Sequence, residues 1–278
     1  MKISLCEAIE ALRLAGVDSP EYDARELFIA YGGFSRALPP RLNDTAESEA
    51  LASALERRRA REPLQYILGE VSFFRETYRV SPDVLIPRPD TEILVEAALK
   101  RLGRGARFLD LCAGSGCVGI STLCNSQDTV CIAVDISEAA LKIAKENSER
   151  LGVAERYTAL KHDLTDSVPN TIADSAPFDA VLSNPPYVSR SAYERLAPEI
   201  YREPKIAFVG GEDGGDFYRR ITPLYKTLLS EGGFIAYEIG FDQAELLCRI
   251  AEENEMNIEI IPDLSGNSRV ALLTQKRA

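Results

Sequence analysis

The alternation of short apolar runs with amphipathic segments after residue 91 is the feature that most constrains how this chain can fold. Strands are predicted at residues 108–111, 130–135, 157–160, 178–183 and 233–239. Helices are predicted around them, at residues 92–102, 118–123, 138–151, 216–229 and 243–254. This order indicates an open, mostly parallel sheet with helices on both faces. The last two runs, 258–262 and 270–275, leave no room for a helix between them, so we expect a hairpin that makes one strand antiparallel.

The first 62 residues have a different pattern, which predicts a small bundle of helices. Ser4 and Glu7 form a capping box, and Pro20 suits the first turn of a second helix. A third helix is predicted to begin at Thr45 and to end in the arginine-rich run 57–61. Because cations in a last turn complement the helix dipole, we expect these arginines to be solvated. A docking surface for an acidic partner is the alternative.

Residues 63–90 are predicted to form a linker. The runs 65–71 and 76–80 are β-like and predict a hairpin around Phe73-Phe74. Pro82, Pro87 and Pro89 then indicate an extended segment. The predicted domains are therefore residues 1–62, 63–90 and 91–278.

Charge and apolar content disfavour several classes of partner. A net charge of −11 disfavours binding along a nucleic acid backbone, which needs clustered Lys and Arg. No apolar run approaches the roughly 20 residues that span a bilayer, and an early Glu7 argues against a secretion signal. We therefore expect no direct contact with nucleic acid or membrane.

Cysteine and histidine usage points to a reducing compartment and to no metal. None of the six cysteines forms a Cys-x-x-Cys pair, and most lie in apolar stretches, so we expect buried, reduced thiols. His162 is the one histidine, which makes a zinc site or a histidine general base a poor hypothesis. A cytoplasmic location follows as an expectation.

The segment that follows the first strand of the predicted sheet has the composition of a ligand-binding turn. It runs Asp110-Leu111-Cys112-Ala113-Gly114-Ser115-Gly116 and leads into a helix N-terminus, where free N–H groups face the crevice. The two glycines allow a sharp turn and a close approach to a ligand. With Gly119 the spacing also matches the dinucleotide fingerprint, so the turn alone does not exclude a nicotinamide dehydrogenase.

Carboxylates follow the next two strands. Asp135, with Ile136 after it, is placed to accept hydrogen bonds from both hydroxyls of a ribose. Asp163 and Leu164 suit an adenine, the first for the exocyclic amine and the second for the ring face, although a loop carboxylate is the simpler alternative for Asp163. Asp110 has two open roles, because its carboxylate can bind the amino group of a ligand or hold the glycine turn.

The turn Asn184-Pro185-Pro186-Tyr187 follows the fourth strand and carries the predicted chemistry. The prolines remove backbone donors and leave two acceptors, the Asn184 side-chain carbonyl and the Pro185 backbone carbonyl. Such a pair suits an –NH2 group, and Tyr187 adds a flat face for a planar substrate. Two acceptors can orient an amide lone pair toward a sulfonium methyl and stabilise the positive charge that develops on nitrogen. The arrangement predicts methyl transfer to a planar nitrogen.

These motifs resemble those of the HemK/PrmC family, the protein-(glutamine-N5) methyltransferases of peptide chain release factors. Nearly the whole chain takes part, through the segments Pro63–Gly69, Leu85–Glu92, Asn184–Val188, Glu203-Pro204, Gly210–Gly214, Glu238–Gly240 and Asp263–Gly266, and through Arg269-Val270. Cys112-Ala113 departs from the Gly-Thr or Gly-Cys of many relatives, from which we expect a slightly different loop and not a loss of binding.

The resemblance implies a Rossmann-like class I S-adenosylmethionine-dependent methyltransferase with a seven-stranded mixed sheet, a helical N-terminal bundle and a hairpin linker. It implies methylation of the glutamine in the Gly-Gly-Gln motif of class 1 release factors, by a chain we expect to be monomeric. The predicted donor contacts are Asp110, Cys112, Ala113, Gly114, Ser115, Gly116, Asp135, Ile136, Asp163, Leu164 and Asn184. The predicted substrate contacts are Asn184, Pro185, Pro186 and Tyr187, of which Asn184, Pro185 and Tyr187 are catalytic. Arg88 and Glu92 either brace this site or form structural salt bridges.

Three other functions remain open at this point. A nucleic acid amino-methyltransferase would share the chemistry, but it needs a basic surface. A non-catalytic module that binds a translation factor would not need the intact Asn-Pro-Pro-Tyr turn. A nicotinamide dehydrogenase would need a placed acid that the chain does not obviously supply.

Overall fold

The computed structural model of the chain describes residues 2–276, which divide into two units. The first unit comprises the chain up to Glu70 together with Ala197–Arg202. The second comprises Val71–Leu196 and the chain from Glu203 onward. The sequence patterns divide the chain differently, at residues 62 and 90, and that three-part division stays a prediction.

In its described residues the first unit contains four α-helices, a two-stranded sheet and a 3-10 turn at Ile200–Arg202. The elements are β1 (Lys2–Ser4), α1 (Leu5–Leu14), α2 (Pro20–Tyr31), β2 (Thr45–Glu47), α3 (Glu49–Arg59) and α4 (Leu64–Leu68). The predicted capping box is confirmed, because the Glu7 amide donates to Ser4 Oγ and the Ser4 amide donates to Glu7 Oε2. The apolar faces of the helices meet in one buried core that includes Leu5, Leu12, Leu27, Phe28 and Leu51.

Two predicted elements of this unit are wrong. Thr45 lies in a strand that pairs with Lys2–Ser4, and the third helix begins later, where the Ser48 hydroxyl caps the Leu51 amide at 3.2 Å. The segment predicted as β-like at 65–71 is largely helix α4. Pro63 precedes that helix and Gly69 ends it in a left-handed conformation, so these two residues override the strand preference of Tyr66 and Ile67.

The arginine-rich run is not uniformly solvated. Arg58 is 6% exposed and donates to Asp23 at 2.7 Å, while Glu199 accepts from both Arg58 and Arg61. Burial raises the pKa of Asp23, and the Arg58 guanidinium opposes that rise. The expectation of a solvated helix end is therefore wrong for Arg58. Its guanidinium is buried, and the carboxylates of Asp23 and Glu199 compensate its charge.

A hairpin and a helix precede the large sheet. Strands β3 (Glu70–Phe73) and β4 (Glu76–Arg79) pair with each other, which confirms the predicted hairpin around Phe73-Phe74. Helix α5 (Glu92–Leu99) follows a single 3-10 turn at Pro89–Thr91.

The second unit is built on a seven-stranded mixed sheet. Its strands are β5 (Arg107–Leu111), β6 (Val130–Asp135), β7 (Tyr157–Lys161), β8 (Phe178–Ser183), β9 (Leu229–Glu238), β10 (Met256–Pro262) and β11 (Ser268–Gln275). They lie in the order β10-β11-β9-β8-β5-β6-β7, and the last strand, β11, is antiparallel to both neighbours. The predicted architecture and the antiparallel last strand are confirmed.

Helices cover both faces of this sheet. They are α6 (Cys117–Cys124), α7 (Glu138–Arg150), α8 (Asn170–Ala173), α9 (Arg190–Tyr193), α10 (Asp216–Tyr225) and α11 (Ala244–Glu253). Side chains of alternate strand positions enter two separate cores, so Phe108 packs on one face and Leu109 on the other. The predicted helix 216–229 ends at Tyr225, because the chain turns at Lys226–Leu228 and is extended from Leu229.

The expectation of buried thiols holds for only part of the chain. All six cysteines are free; Cys117 and Cys131 are buried, whereas Cys6 and Cys248 are exposed. The expectation is wrong for the last two, since each lies on the outer face of a helix whose buried neighbours point the other way.

Candidate active site

The turn between β5 and α6 combines three left-handed backbone conformations. Cys112, Gly114 and Gly116 have φ values of 61°, 54° and 80°. A Cβ on Gly114 would meet no atom within 4 Å, whereas a Cβ on Gly116 would lie 2.7 Å from Ile120 and 2.9 Å from the Tyr157 hydroxyl. Gly116 is thus required for packing, and Gly114 keeps a space beside the turn open.

The turn is fastened to the next strand by Asp135. Its Oδ2 accepts from the Gly114 amide at 2.8 Å, and its Oδ1 accepts from the Ser137 amide at 2.9 Å. Burial raises the pKa of Asp135, and these amides oppose the rise. Each carboxylate oxygen has a further lone pair, so the residue can still accept from the hydroxyls of a ribose.

Asp110 lies behind the turn. It is 1% exposed, its Oδ2 accepts from the Gly119 amide at 2.9 Å, and burial raises its pKa to about 7. A Cβ on Gly119 would lie 2.7 Å from that oxygen, which explains the third glycine of the spacing by close packing of helix on strand. These contacts favour the role of holding the glycine turn over that of binding a ligand.

The loop after β7 contains His162 and Asp163, and it holds the Asp163 carboxylate in place. Asp163 Oδ1 accepts from the Thr165 amide at 2.8 Å and from the Thr165 hydroxyl at 2.7 Å, which keeps the pKa of Asp163 below its usual value. The simple loop role is therefore present, and Oδ2 is not engaged in these bonds. His162 Nε2 is buried without a hydrogen-bond partner among residues 2–276.

The Asn-Pro-Pro-Tyr turn is held on several sides. The Val188 amide donates to Phe208 O at 2.8 Å, and Gln243 Nε2 donates to Tyr187 O at 2.9 Å. Gly210 and Gly214 contact the carbonyls of this turn so closely that a side chain on either would collide with backbone. The glycine-rich block 210–214 thus buttresses the turn.

The side chains of the turn have partners of their own. Asn184 Nδ2 donates to Thr91 Oγ1 at 3.2 Å, and the Tyr187 hydroxyl donates to Glu238 Oε1 at 3.0 Å. The Asn184 amide is therefore oriented with its nitrogen toward Thr91, which leaves its carbonyl as the acceptor. Neither Thr91 nor Glu238 is among the site residues predicted from sequence, and a hydroxyl within the segment Leu85–Glu92 is the one signal that could have drawn attention to Thr91.

One cavity of about 110 Å³ brings most of these elements together. Of the predicted residues, the ones that line it are Cys112, Gly114, Asp135, Ile136, Asp163, Leu164, Asn184 and Pro186. Those that lie outside its lining are Asp110, Ala113, Ser115, Gly116, Pro185 and Tyr187. The lining also contains residues that are not among the predicted site residues, namely Asp83, Val84, Leu85, Ser137, Ala140, His162, Pro204, Ile206, Ala207 and Phe217.

Neither Arg88 nor Glu92 lines the cavity, and each is held by a structural contact. Arg88 pairs with the buried Glu203, which also accepts from the Ile86 amide at 3.0 Å and precedes the cavity residue Pro204. Glu92 accepts from the Phe74 amide at 2.8 Å and so fixes the hairpin. Arg88 thus forms an ion pair next to the cavity residue Pro204, and Glu92 does not line the cavity.

The cavity fits a nucleoside-bearing ligand better than a metal. It combines the open space at Gly114 with the carboxylates of Asp135 and Asp163 and the apolar faces of Leu164 and Ile136. Across residues 2–276, no group of three or more His, Cys, Asp or Glu side chains is placed to hold a metal ion. No helix in the same part of the chain is both long and apolar enough to cross a bilayer.

Comparison with known proteins identifies relatives over nearly the full length. A family model described as the PrmC N-terminal domain matches residues 5–69, and one described as conserved hypothetical protein 95 matches residues 87–207. The chain is 35% identical to the release factor glutamine methyltransferase of Moorella thermoacetica, over 98% of this chain and 97% of that protein. It is 36% identical to the protein of the same name from Caulobacter vibrioides, over 95% and 93% of the two chains.

A solved structure supports the fold independently. The ribosomal protein L11 methylase of Lactobacillus delbrueckii subsp. bulgaricus superposes with a TM-score of 0.51 at 18% identity, over 72% of this chain and 85% of that one. At this identity the likeness concerns the fold, that of the class I methyltransferases. The full-length relatives settle the family, and the chain belongs to the release factor glutamine methyltransferases.

Proposed function

We propose that this chain transfers the methyl group of S-adenosylmethionine to the side-chain amide nitrogen of the glutamine in the Gly-Gly-Gln motif of class 1 peptide chain release factors. The observation that carries the proposal is the Asn184 amide, whose carbonyl is left as an acceptor at a cavity that also contains the ribose-type carboxylate Asp135. S-adenosylmethionine supplies an electrophilic methyl carbon when bound.

The donor side of the cavity is formed by the ends of β5, β6 and β7. Asp135 accepts from the ribose hydroxyls, and Leu164 and Ile136 pack against the adenine. Gly114 leaves room for the ligand to approach the backbone. Asp163 or His162 would meet the exocyclic amine.

The acceptor side is formed by the Asn-Pro-Pro-Tyr turn. The carbonyls of Asn184 and Pro185 accept from the two hydrogens of the glutamine amide and turn its lone pair toward the methyl carbon. As the N–C bond forms and the C–S bond breaks, these carbonyls stabilise the positive charge on nitrogen. The extra proton then leaves to solvent, so the residues need no strong base.

Mass spectrometry of a class 1 release factor after incubation with the enzyme and S-adenosylmethionine tests the proposal. We expect one added methyl on the Gly-Gly-Gln glutamine. Methylation of RNA or DNA, with none on the release factor, would contradict the proposal and identify a nucleic acid methyltransferase. Tight binding of the donor without any turnover would instead identify a binding module.

The first unit is proposed to recognise the folded release factor. Its exposed apolar side chains include Leu14 and Leu38, which are 81% and 78% exposed and can change without disturbing the core. We expect Leu14→Asp or Leu38→Asp to lower kcat/KM on the intact release factor and to leave turnover on a Gly-Gly-Gln peptide unchanged. If both variants kept the wild-type kcat/KM on the intact release factor, the first unit would have another function.

We further propose that the chain acts as a monomer in the cytoplasm, without direct contact with nucleic acid. Its net charge of −11 and its free cysteines support this assignment. Light scattering behind size-exclusion chromatography measures the oligomeric state, and a mass near twice 30.6 kDa would contradict it.

A further inference from the structure

A buried glutamate lies behind the Asn-Pro-Pro-Tyr turn. Glu238 ends strand β9, is 2% exposed, and accepts from the Tyr187 hydroxyl through Oε1. Its Oε2 is buried and has no hydrogen bond of ordinary geometry from residues 2–276. A buried carboxylate oxygen of this kind requires a proton donor beside it.

Thr91 is the neighbour that can supply this proton. It is 1% exposed, it follows Asp90 in the segment before α5, and its Oγ1 already accepts from Asn184 Nδ2. Burial raises the pKa of Glu238, and hydrogen bonding from the hydroxyls of Thr91 and Tyr187 opposes this rise. Thr91 is therefore bonded to the Asn184 amide and lies beside the buried carboxylate.

The direction of the hydrogen bonds among Asn184, Thr91 and Glu238 follows from the number of protons that each group can donate. A threonine hydroxyl has one proton to donate, whereas an ionised carboxylate can only accept. If Thr91 donates to Glu238, its oxygen can only accept from Asn184, which must then present its –NH2 to Thr91. The carbonyl of Asn184 is left for the substrate.

We propose that Thr91 and Glu238 are positioning residues, which fix the orientation of the Asn184 amide so that its carbonyl, and not its –NH2 group, meets the glutamine amide of the release factor. The inference rests on the proposed function, since it concerns the acceptor that grips the glutamine. Glu238 anchors Tyr187 at the same time, so both polar side chains of the turn depend on one carboxylate.

Burial favours the neutral form of this carboxylate, and one of its charged neighbours opposes that effect. Arg269 lies near Glu238 and lowers its pKa, and Asp90 lies on the same side and raises it. Arg269 is in turn paired with Asp90 at 3.1 Å and with Asp263 at 3.3 Å. The guanidinium therefore offsets part of the cost of burying the charge of Glu238.

Substitutions of Thr91 separate positioning from packing. Thr91→Val keeps the shape and removes the hydroxyl, whereas Thr91→Ser keeps the hydroxyl and removes the methyl. We expect Thr91→Val to lower kcat on a Gly-Gly-Gln substrate by about 10- to 100-fold, the scale for a small misplacement of the reacting groups. We expect Thr91→Ser to restore at least half of the wild-type kcat, and both variants to keep the wild-type Kd for S-adenosylhomocysteine measured by calorimetry.

Glu238→Gln gives a second measurement in case Thr91→Val is unstable. The glutamine Nε2 can donate to Thr91, which frees the threonine proton to donate to Asn184 Oδ1 and turns the amide around. We expect the same fall in kcat with donor affinity unchanged.

The outcomes distinguish this inference from the proposed function. A wild-type enzyme that adds no methyl to the glutamine overturns both. An active wild type with wild-type kcat in Thr91→Val and Glu238→Gln overturns the positioning role alone. A loss that Thr91→Ser does not restore, or that weaker donor binding accounts for, also overturns it.

Discussion

The Gly119 amide donates to the carboxylate of Asp110 at 2.9 Å, where α6 packs against β5 with no side chain between them. Asp110 is 1% exposed, so this bond fixes the helix that follows the glycine turn from behind. The same pair explains why the third glycine of a dinucleotide-type spacing occurs in a methyltransferase. The spacing serves the packing of helix on strand and does not by itself identify the ligand.

Asp110 should make the free energy of unfolding depend on pH. Burial raises its pKa to about 7 in the folded chain, whereas an unfolded aspartate titrates near pH 4. Between these values the folded state binds more protons, so stability is full below about pH 4 and falls as pH rises toward 7, by at most about 1.4 kcal/mol per unit. Asp110→Asn should remove this part of the slope in urea unfolding measured from pH 4 to 8.

The exposed Asp174 offers a matched control for that experiment. Asp174→Asn should leave the slope of stability against pH as in the wild type. An Asp110→Asn variant with the wild-type slope would show that Asp110 titrates alike in both states.

Gly119→Ala tests the packing itself. A Cβ at this position would lie 2.7 Å from Asp110 Oδ2 and 3.1 Å from Cys131 Sγ, both in the core. We expect the free energy of unfolding to fall by about 1–3 kcal/mol, the cost of overpacking. Gly103→Ala is the control, because a Cβ there meets nothing within 4 Å, and it should change stability by less than about 0.5 kcal/mol. A Gly119→Ala variant as stable as the wild type would contradict the tight contact between Gly119 and Asp110.

The large sheet was predictable because its signal is local. Apolar runs and the turns after them are written in consecutive residues, and the predicted strands Val130–Asp135 and Phe178–Ser183 match the structure to the residue. The helix at Leu64–Leu68 escaped prediction because short apolar segments suit both helix and strand, and the outcome depends on the flanking proline and glycine.

Contacts between distant parts of the chain were not predictable from such patterns. Thr91 and Asn184 are 93 positions apart, and Tyr187 and Glu238 are 51 apart, so no local period connects them. Cys112 is a related case. Its φ of 61° is a conformation that glycine adopts freely, and no local pattern in the sequence indicates that a cysteine adopts it here.

Asp135 is expected to determine donor affinity. Its oxygens hold the amides of Gly114 and Ser137 and retain lone pairs for ribose hydroxyls. Losing hydrogen bonds to a charged group costs about 1.5–3 kcal/mol, so Asp135→Ala should weaken binding of S-adenosylhomocysteine roughly 10- to 100-fold in calorimetry. Asp163→Asn is the comparison, because an asparagine at this position can still accept from the Thr165 amide. An unchanged Kd in Asp135→Ala would remove this residue from the donor site.

Asn184→Ala examines the chemical step. The substitution removes the acceptor carbonyl and the bond to Thr91 and leaves the donor side of the cavity in place. We expect kcat on a Gly-Gly-Gln substrate to fall at least about 100-fold, the scale for one preorganised polar contact that acts on developing charge. Donor affinity should change far less, because Asp135 and Leu164 are untouched. The exposed Ser191, in the short helix α9 after the turn, gives the control Ser191→Ala, which should match the wild type in both measurements. If Asn184→Ala kept near-normal turnover, the glutamine amide would have to be held elsewhere, and the role of the whole turn would be refuted.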